Sequence, residues 1–427
     1  MSALLAAGPT AASHPLDSEP HRTVPRDSAY VTDFDVFWTF VRDAYAYWDK
    51  KTTDWNAVRT RLRPRAVEAQ SDADLISVLE DALRELYDSH AHLGVNTSSS
   101  PRLTPSGTDL WAEWRGDQAV ITSVRAQSAA AGEGFVPGMV LQSIGGAPVD
   151  KAVSEWLPRS LTTPDPEAHA WALRAALAGR HNAPVVLRLS HNGAERNVQF
   201  QPGRIQRSGG TTDVRLLPDS VGYIRLHNSL GRLQTVTDLD TALDTLKETR
   251  GLILDLRDTP GGGNTTVARG IMSRFVSEAQ PYQRHDLPRE MREHGIRRLW
   301  AEYVAPRGPF TYDAPLVVLV GRWTGSMGEG LAIGLDGMSR ATVVGTRMAG
   351  LRGALHEQTL PHTGIPVRIP AERLFHVDGT PREDFIPLPL SDIPLRLTSP
   401  KNLAAQVSDP AVRAAYHLIQ QTTTSRK

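Results

Sequence analysis

The chain has 427 residues, 40% of them hydrophobic, with 47 basic residues balanced by 47 acidic ones and no cysteine. That length exceeds one ordinary core and points to two or three domains, while the balanced charge offers no field to gather nucleic acid or an anionic membrane. Disulfides, thiolate metal sites and a cysteine nucleophile are excluded, and no apolar run is long enough to read as a membrane span.

Residues 1–28 open with Ser2-Ala3-Leu4-Leu5-Ala6-Ala7 and continue rich in Pro, Ser and His, the composition of a disordered tail or of a trimmed export signal's remnant. On that ground the expected location is exported, periplasmic or extracellular, with the cytoplasm as the alternative. Over residues 33–65, Phe34, Phe37, Trp38, Val41 and Tyr45 recur at helical spacing behind Thr32 or Asp33 as a start cap. Over residues 72–86, Leu75, Val78, Leu79, Ala82, Leu83 and Leu86 form an apolar stripe at i, i+3, i+4 spacing. Residues 87–95, with Asp88-Ser89-His90 in them, read as a turn entering a short strand. These elements make an N-terminal helical domain over residues 29–106.

Strand patterns follow at 110–114, 119–124, 140–144 and 185–189, with a helix at 167–178. Between them lie Ser128-Ala129-Ala130-Ala131-Gly132, Pro137-Gly138-Met139 and Gly145-Gly146-Ala147-Pro148-Val149. That order resembles a PDZ domain over residues 107–203, which implies a module that adds an extended peptide to a sheet edge. An unrelated small β domain is the alternative.

Beyond a polar break, residues 221–226 read as a strand, 235–249 as an amphipathic helix and 251–257 as a second strand, the pattern of a right-handed crossover between parallel strands. The second strand runs into Asp258-Thr259-Pro260-Gly261-Gly262-Gly263-Asn264. Its glycines leave N–H groups open to a ligand at a strand's carboxyl end; the run lacks the ending of a phosphate loop and reads as an anion pocket or a plain turn. A helix over 267–275 follows. Residues 276–312, rich in Arg, Glu and His, read as an insertion or lid of helical propensity with no clear strand. The apolar strand 315–320 then leads to Ser326, at the switch into a helix through 331–335, where helix-start N–H groups favour a developing anion. Ser326 is a nucleophile by position, or a helix cap, since Ser326 and Glu329 match a capping box. Further strands are expected at 341–345 and around the Thr363-Gly364 turn, and a helix at 409–421.

Taken in order, Leu86-Tyr87-Asp88-Ser89-His90, the PDZ-like segment, Val221-Gly222-Tyr223-Ile224-Arg225-Leu226, Leu252-Ile253-Leu254-Asp255-Leu256-Arg257 with Pro260-Gly261-Gly262, Thr324-Gly325-Ser326-Met327-Gly328-Glu329, and Asp378-Gly379 with Glu383 ahead of Ile386-Pro387 form one set. That set resembles the tail-specific or C-terminal-processing serine peptidases, closest to the tricorn-type branch, over residues 30–395. The resemblance implies a multidomain α/β fold: the helical and PDZ-like domains precede an α/β core of crotonase-like ββα type at 214–400, with a helix and tail at 401–427. It also implies Ser326 as nucleophile and His90 as general base, with Ser89 and Glu383 orienting the imidazole. N–H groups of Gly261 or Gly262 and of Met327 would form the oxyanion hole. The chemistry is consistent with those roles, because a serine hydroxyl needs a base in reach and a neutral imidazole suits pH 7.

The expected activity is that of a serine endopeptidase acting through an acyl-enzyme on unstructured or C-terminal protein segments, with protein or peptide as partner, no nucleic acid, no cofactor and no metal. Where many such enzymes carry a Lys for a Ser-Lys dyad, this chain has Gly350-Leu351-Arg352-Gly353. Leu351 has no base and Arg352 stays protonated, with a pKa above ~12, so a dyad is not expected. The competing readings are a ligand- or peptide-binding protein on the same scaffold, favoured by the missing Lys, and an esterase.

Overall fold

Four parallel strands, in the spatial order Ala341–Gly345, Leu316–Val320, Gly251–Asp255 and Val221–Leu226, form the centre of the molecule, and Thr212–Leu217 closes one edge antiparallel. The computed structural model describes residues 26–203, 210–393 and 407–425. Residues 1–25 of the expected tail and 401–406 of the expected C-terminal segment lie outside the described residues.

Unbroken apolar runs in the inner strands fit a sheet covered on both faces. On one face Ile224, Leu252, Leu254 and Val318 pack against Leu243, Ile271 and Leu331, carried by the helices Gln234–Leu246, Thr265–Met272 and Met327–Gly337. On the other, Tyr223, Ile253, Val317 and Leu319 lie under Val412, Ala415, Tyr416 and Ile419 of the helix Pro410–Ser425. The strand period of two therefore sends alternate residues into two separate cores. Gly251 lets the last helix approach: a Cβ there would collide with Ile419 and stand 3.1 Å from the Pro315 carbonyl.

A second sheet, antiparallel, takes the order Leu110–Arg115, Gln118–Val124, Val140–Ile144, Val185–His191, Ala194–Phe200. Ile121, Leu141, Leu187 and Leu189 pack with Ala172, Leu173 and Ala176 of the helix Pro166–Ala178 in a core of their own. That helix starts with Asp165, whose carboxylate accepts from the Glu167 N–H at 2.8 Å, and with Pro166 at its first position.

The N-terminal residues form three helices, Arg26–Ala44, Trp55–Val67 and Asp72–Arg84, where the sequence pattern predicts a continuous stretch over 33–65 followed by one helix. The chain breaks after Ala44 because Tyr45 and Tyr47 turn inward to bury their rings, and Asp54 restarts the helix by accepting from the N–H groups of Asn56 and Ala57. Asp33 sits inside the first helix instead of capping it. Its carboxylate, 0% exposed, accepts from the N–H groups of His362 and Thr363 at 3.0 and 2.8 Å. The helices share one core with a late strand: Phe34, Phe37, Leu62 and Leu79 pack with Val367, Ile369 and Ala371 of Pro366–Phe375.

Pro366–Phe375 is the hub of a third sheet, paired with His92–Leu93, Gln280–Asp286 and Ala354–Thr359, while Leu299–Val304 adds outside Gln280–Asp286. The insertion is thus a β-hairpin around the short helix Pro288–His294, not the strandless helical segment its composition suggests. Pairing with the long strand overrides local propensity there. Among the described residues no helix is long and apolar enough to cross a membrane.

Candidate active site

The parallel strands end where two glycine-containing turns meet. Thr259 N–H donates to Trp323 O at 3.0 Å, Gly325 N–H to Thr259 O at 3.2 Å, and the Thr324 hydroxyl to Leu256 O at 3.0 Å. This lacing sets Ser326 at the head of the helix Met327–Gly337 with φ 51° and ψ −114°. Such a backbone costs a side-chain-bearing residue about 1–3 kcal/mol and persists only where its surroundings enforce it. Its consequence is a half-buried hydroxyl thrust out of the helix start.

His90 arrives from the opposite side, on the turn after Asp72–Arg84. Asp88 shapes that turn, accepting from the His90 N–H at 2.9 Å and from the Tyr45 hydroxyl at 2.7 Å. The imidazole Nε2 stands 3.0 Å from Ser326 Oγ, and Nδ1 stands 2.5 Å from the Arg352 carbonyl oxygen. A carbonyl can only accept, so Nδ1 carries the proton and Nε2 offers its lone pair to the hydroxyl. His90 is 6% exposed. Burial, with the Arg382 charge adding to it, pushes its pKa down to about 4, and the ring is a free base at neutral pH.

The Arg352 carbonyl is aimed by the segment around it. Glu329 accepts from the Gly350 and Leu351 N–H groups at 2.9 and 3.1 Å, and also from the Ser326 N–H at 2.8 Å. Arg382 donates to the Leu351 and Gly353 carbonyls at 2.7 and 2.9 Å. These contacts leave the intervening carbonyl of Arg352 directed at the imidazole.

Gly262 packs directly on Ser326. Its φ is 61°, and a Cβ there would lie 2.5 Å from Ser326 Cβ and 2.9 Å from both Ser326 Oγ and Met327 N. The Gly262 N–H closes its own turn on Thr259 O at 3.2 Å, and the Gly261 N–H donates to Asn228 Oδ1 at 2.8 Å. Met327 contributes the first N–H of the helix. Ser89 is half-buried and lines a cavity of about 990 Å³ together with Asn228, Ser229, His92, Trp156 and Trp171. That volume is at the upper end for ligand clefts. Glu383 is not among the residues lining that cavity; its Oε1 lies 3.6 Å from Lys50 Nζ and its Oε2 is buried without a donor.

The candidate residues thus divide. Ser326, His90, Gly261, Gly262 and Met327 converge, whereas neither nitrogen of the imidazole is engaged by Ser89 or Glu383. The group on Nδ1 is a main-chain carbonyl, which no side-chain pattern announces. Glu329 reads in the sequence as a cap, and its reach to Gly350 and Leu351 becomes visible only in three dimensions.

Comparison with known proteins agrees with this architecture. Residues 220–385 match the family model described as Peptidase family S41, and residues 28–84 match that of the tricorn protease C1 domain. The chain is 24% identical over 351 residues to tricorn protease homolog 1 of Streptomyces coelicolor, covering 74% of this chain and 28% of that protein. It is 29% identical over 248 residues to the carboxyl-terminal-processing protease of Synechocystis, covering 55% of this chain and 54% of that protein. The chain therefore spans about half or less of the length of these curated relatives. In fold it is similar to the photosystem II D1 C-terminal processing protease, with TM-score 0.54, 19% identity and coverage of 90% and 99% of the two chains. Mature CPAF, solved in complex with lactacystin, gives TM-score 0.56 at 15% identity, with coverage of 93% and 98%. The resemblance to C-terminal-processing and tricorn-type peptidases is thus carried by family models and named relatives together.

Proposed function

We propose that the chain is a serine endopeptidase that cleaves unstructured or C-terminal protein segments through an acyl-enzyme. The observation that carries this reading is the 3.0 Å contact between His90 Nε2 and Ser326 Oγ, made by residues 236 positions apart. In this reading the Ser326 hydroxyl attacks the scissile carbonyl as its proton passes to Nε2, and the imidazolium then returns that proton to the leaving amine. The Arg352 carbonyl keeps Nδ1–H in place and stabilises the charged ring. The oxyanion is held by the Met327 N–H and by Gly261 or Gly262, Asn228 releasing the Gly261 N–H as substrate enters. Each such donor is worth on the order of 3 kcal/mol in enzymes of this type.

We assign Ser89 and Glu383 to supporting the orientation of the base beside the Arg352 carbonyl, the role the family resemblance implies for them. Residues 107–203 are read as a PDZ-like module that delivers peptide ends to the cavity. Residues 29–106 are read as the domain carrying the base, and 214–400 as a crotonase-like core, in an exported protein. A second reading, a binding protein without turnover, is favoured by one contact: Asn228 occupies the Gly261 N–H that an oxyanion would need.

A fluorophosphonate reagent separates the two. The peptidase reading expects covalent label on Ser326, abolished in both Ser326→Ala and His90→Ala. A folded sample that takes no label at any pH rejects it and leaves the binding protein.

A further inference from the structure

Glu329 is 0% exposed, yet it spends its carboxylate on main-chain N–H groups from two separate segments. Capping alone does not require this. Asn264, which heads the helix Thr265–Met272, serves with the single contact to Val267 N at 3.0 Å. Burying an ionisable carboxyl is costly unless its contacts repay it, so a plain cap is better made by Ser or Asn. Here one contact holds the backbone of Ser326. The other two hold Gly350 and Leu351, immediately ahead of the carbonyl that binds His90 Nδ1.

We propose that Glu329 is a positioning residue that ties the backbone of Ser326 to the segment orienting His90, so that nucleophile and base are set in register by one carboxylate. This rests on the peptidase reading. Arg382, from the turn Arg382–Asp384, faces the same segment and holds the carbonyls on either side of Arg352, and His90, Glu167 and Tyr47 are the titratable groups that meet that segment. Burial lifts the pKa of Glu329 to about 7, with the Arg382 charge and the three N–H contacts working against it. Protonated, the carboxyl must turn one oxygen into a donor and loses an N–H partner.

The test is the rate of fluorophosphonate labelling of the full chain between pH 4.5 and 9, for wild type, Glu329→Gln and Glu329→Asp. The expected wild-type rate falls below pH 7 on a single limb near 7, well above the value set by His90. Glu329→Gln loses that limb and labels about 100-fold more slowly at pH 8, the scale of an ångström's misplacement. Glu329→Asp keeps a limb and recovers part of the rate. A Gln variant as fast as wild type, or a wild-type limb near 4 instead of 7, overturns the proposal, and the second result needs no folded variant. Wild type that takes no label at any pH overturns the peptidase reading itself.

Discussion

Arg352 and Glu167 meet in a two-pronged charged contact, at 2.7 and 2.8 Å, that joins the segment orienting His90 to the helix Pro166–Ala178 of the antiparallel sheet. The same residue therefore offers its carbonyl to the His90 imidazole and its guanidinium to another layer of the molecule. Bidentate pairs of this kind fix geometry as well as energy.

Glu167→Gln should therefore slow labelling of Ser326 by about tenfold while the fold persists, since the Glu167 side chain is 40% exposed and the pair is worth only about 1 kcal/mol. The charge swap Glu167→Arg with Arg352→Glu should recover part of the rate. Equal rates in wild type and Glu167→Gln would show that the Arg352 carbonyl holds its place without the latch.

Gly262→Ala tests how closely the two turns must approach. The added methyl meets Ser326 Cβ at 2.5 Å and Met327 N at 2.9 Å, on a backbone at φ 61°. A loss of about 1–3 kcal/mol of stability is expected from strain and overpacking together, with near-complete loss of labelling. Thermal melting and labelling of the same preparation check both, and an unchanged rate would show that the reactivity of Ser326 does not depend on its close packing against Gly262.

Glu372 gives a pH-dependent prediction away from the proposed chemistry. Its burial favours the acid form, but hydrogen bonds from His285 at 2.9 Å and His356 at 2.7 Å outweigh this and bring its pKa to about 2. Its contribution is thus present above the ordinary carboxylate value of ~4.5 and is lost only as pH falls through about 2. His285 is shifted the other way: burial lowers its pKa, and its bonds to Glu302 and Glu372 raise it to a net increase. Its share is present below the ordinary imidazole value of ~6.5 and disappears as pH rises through the folded value. The stability difference between wild type and Glu372→Gln should accordingly be largest, at about 1–3 kcal/mol, between roughly pH 4.5 and 6.5, and shrink above neutrality. A difference that stays constant from pH 5 to 8 in denaturant melts would sink the assignment.

How much of this could be read in advance depends on what each contact is made of. The central sheet could, because Leu252-Ile253-Leu254 and Leu316–Val320 are apolar without interruption and buried on both faces. The stripe from Leu75 to Leu83 likewise marks its helix directly. The hairpin Gln280–Asp286 with Leu299–Val304 could not, because Gln280–Asp286 is polar and takes its place by pairing with Arg373–Phe375, far along the chain, while Leu299–Val304 joins the sheet only through it. Ala194–Phe200 escaped for a related reason, since only Val198 and Phe200 face inward. At the candidate site, Ser326 stands out as the residue between an apolar run and a helix. The partner of His90 Nδ1 leaves no such mark, being a carbonyl whose direction is set by Glu329 and Arg382.

The short pairing of His92 with Arg368 and Leu93 with Val367 has a bearing on how such a chain comes into being. The strand beside His90 gains its neighbour only once Val367 and Arg368 have been made, and Ser326 too follows His90 by 236 positions. On the proposed peptidase reading, a nascent copy therefore lacks its nucleophile through the interval when its own loose segments are most exposed. Synthesis order would thereby keep a peptidase of the proposed kind from cleaving itself.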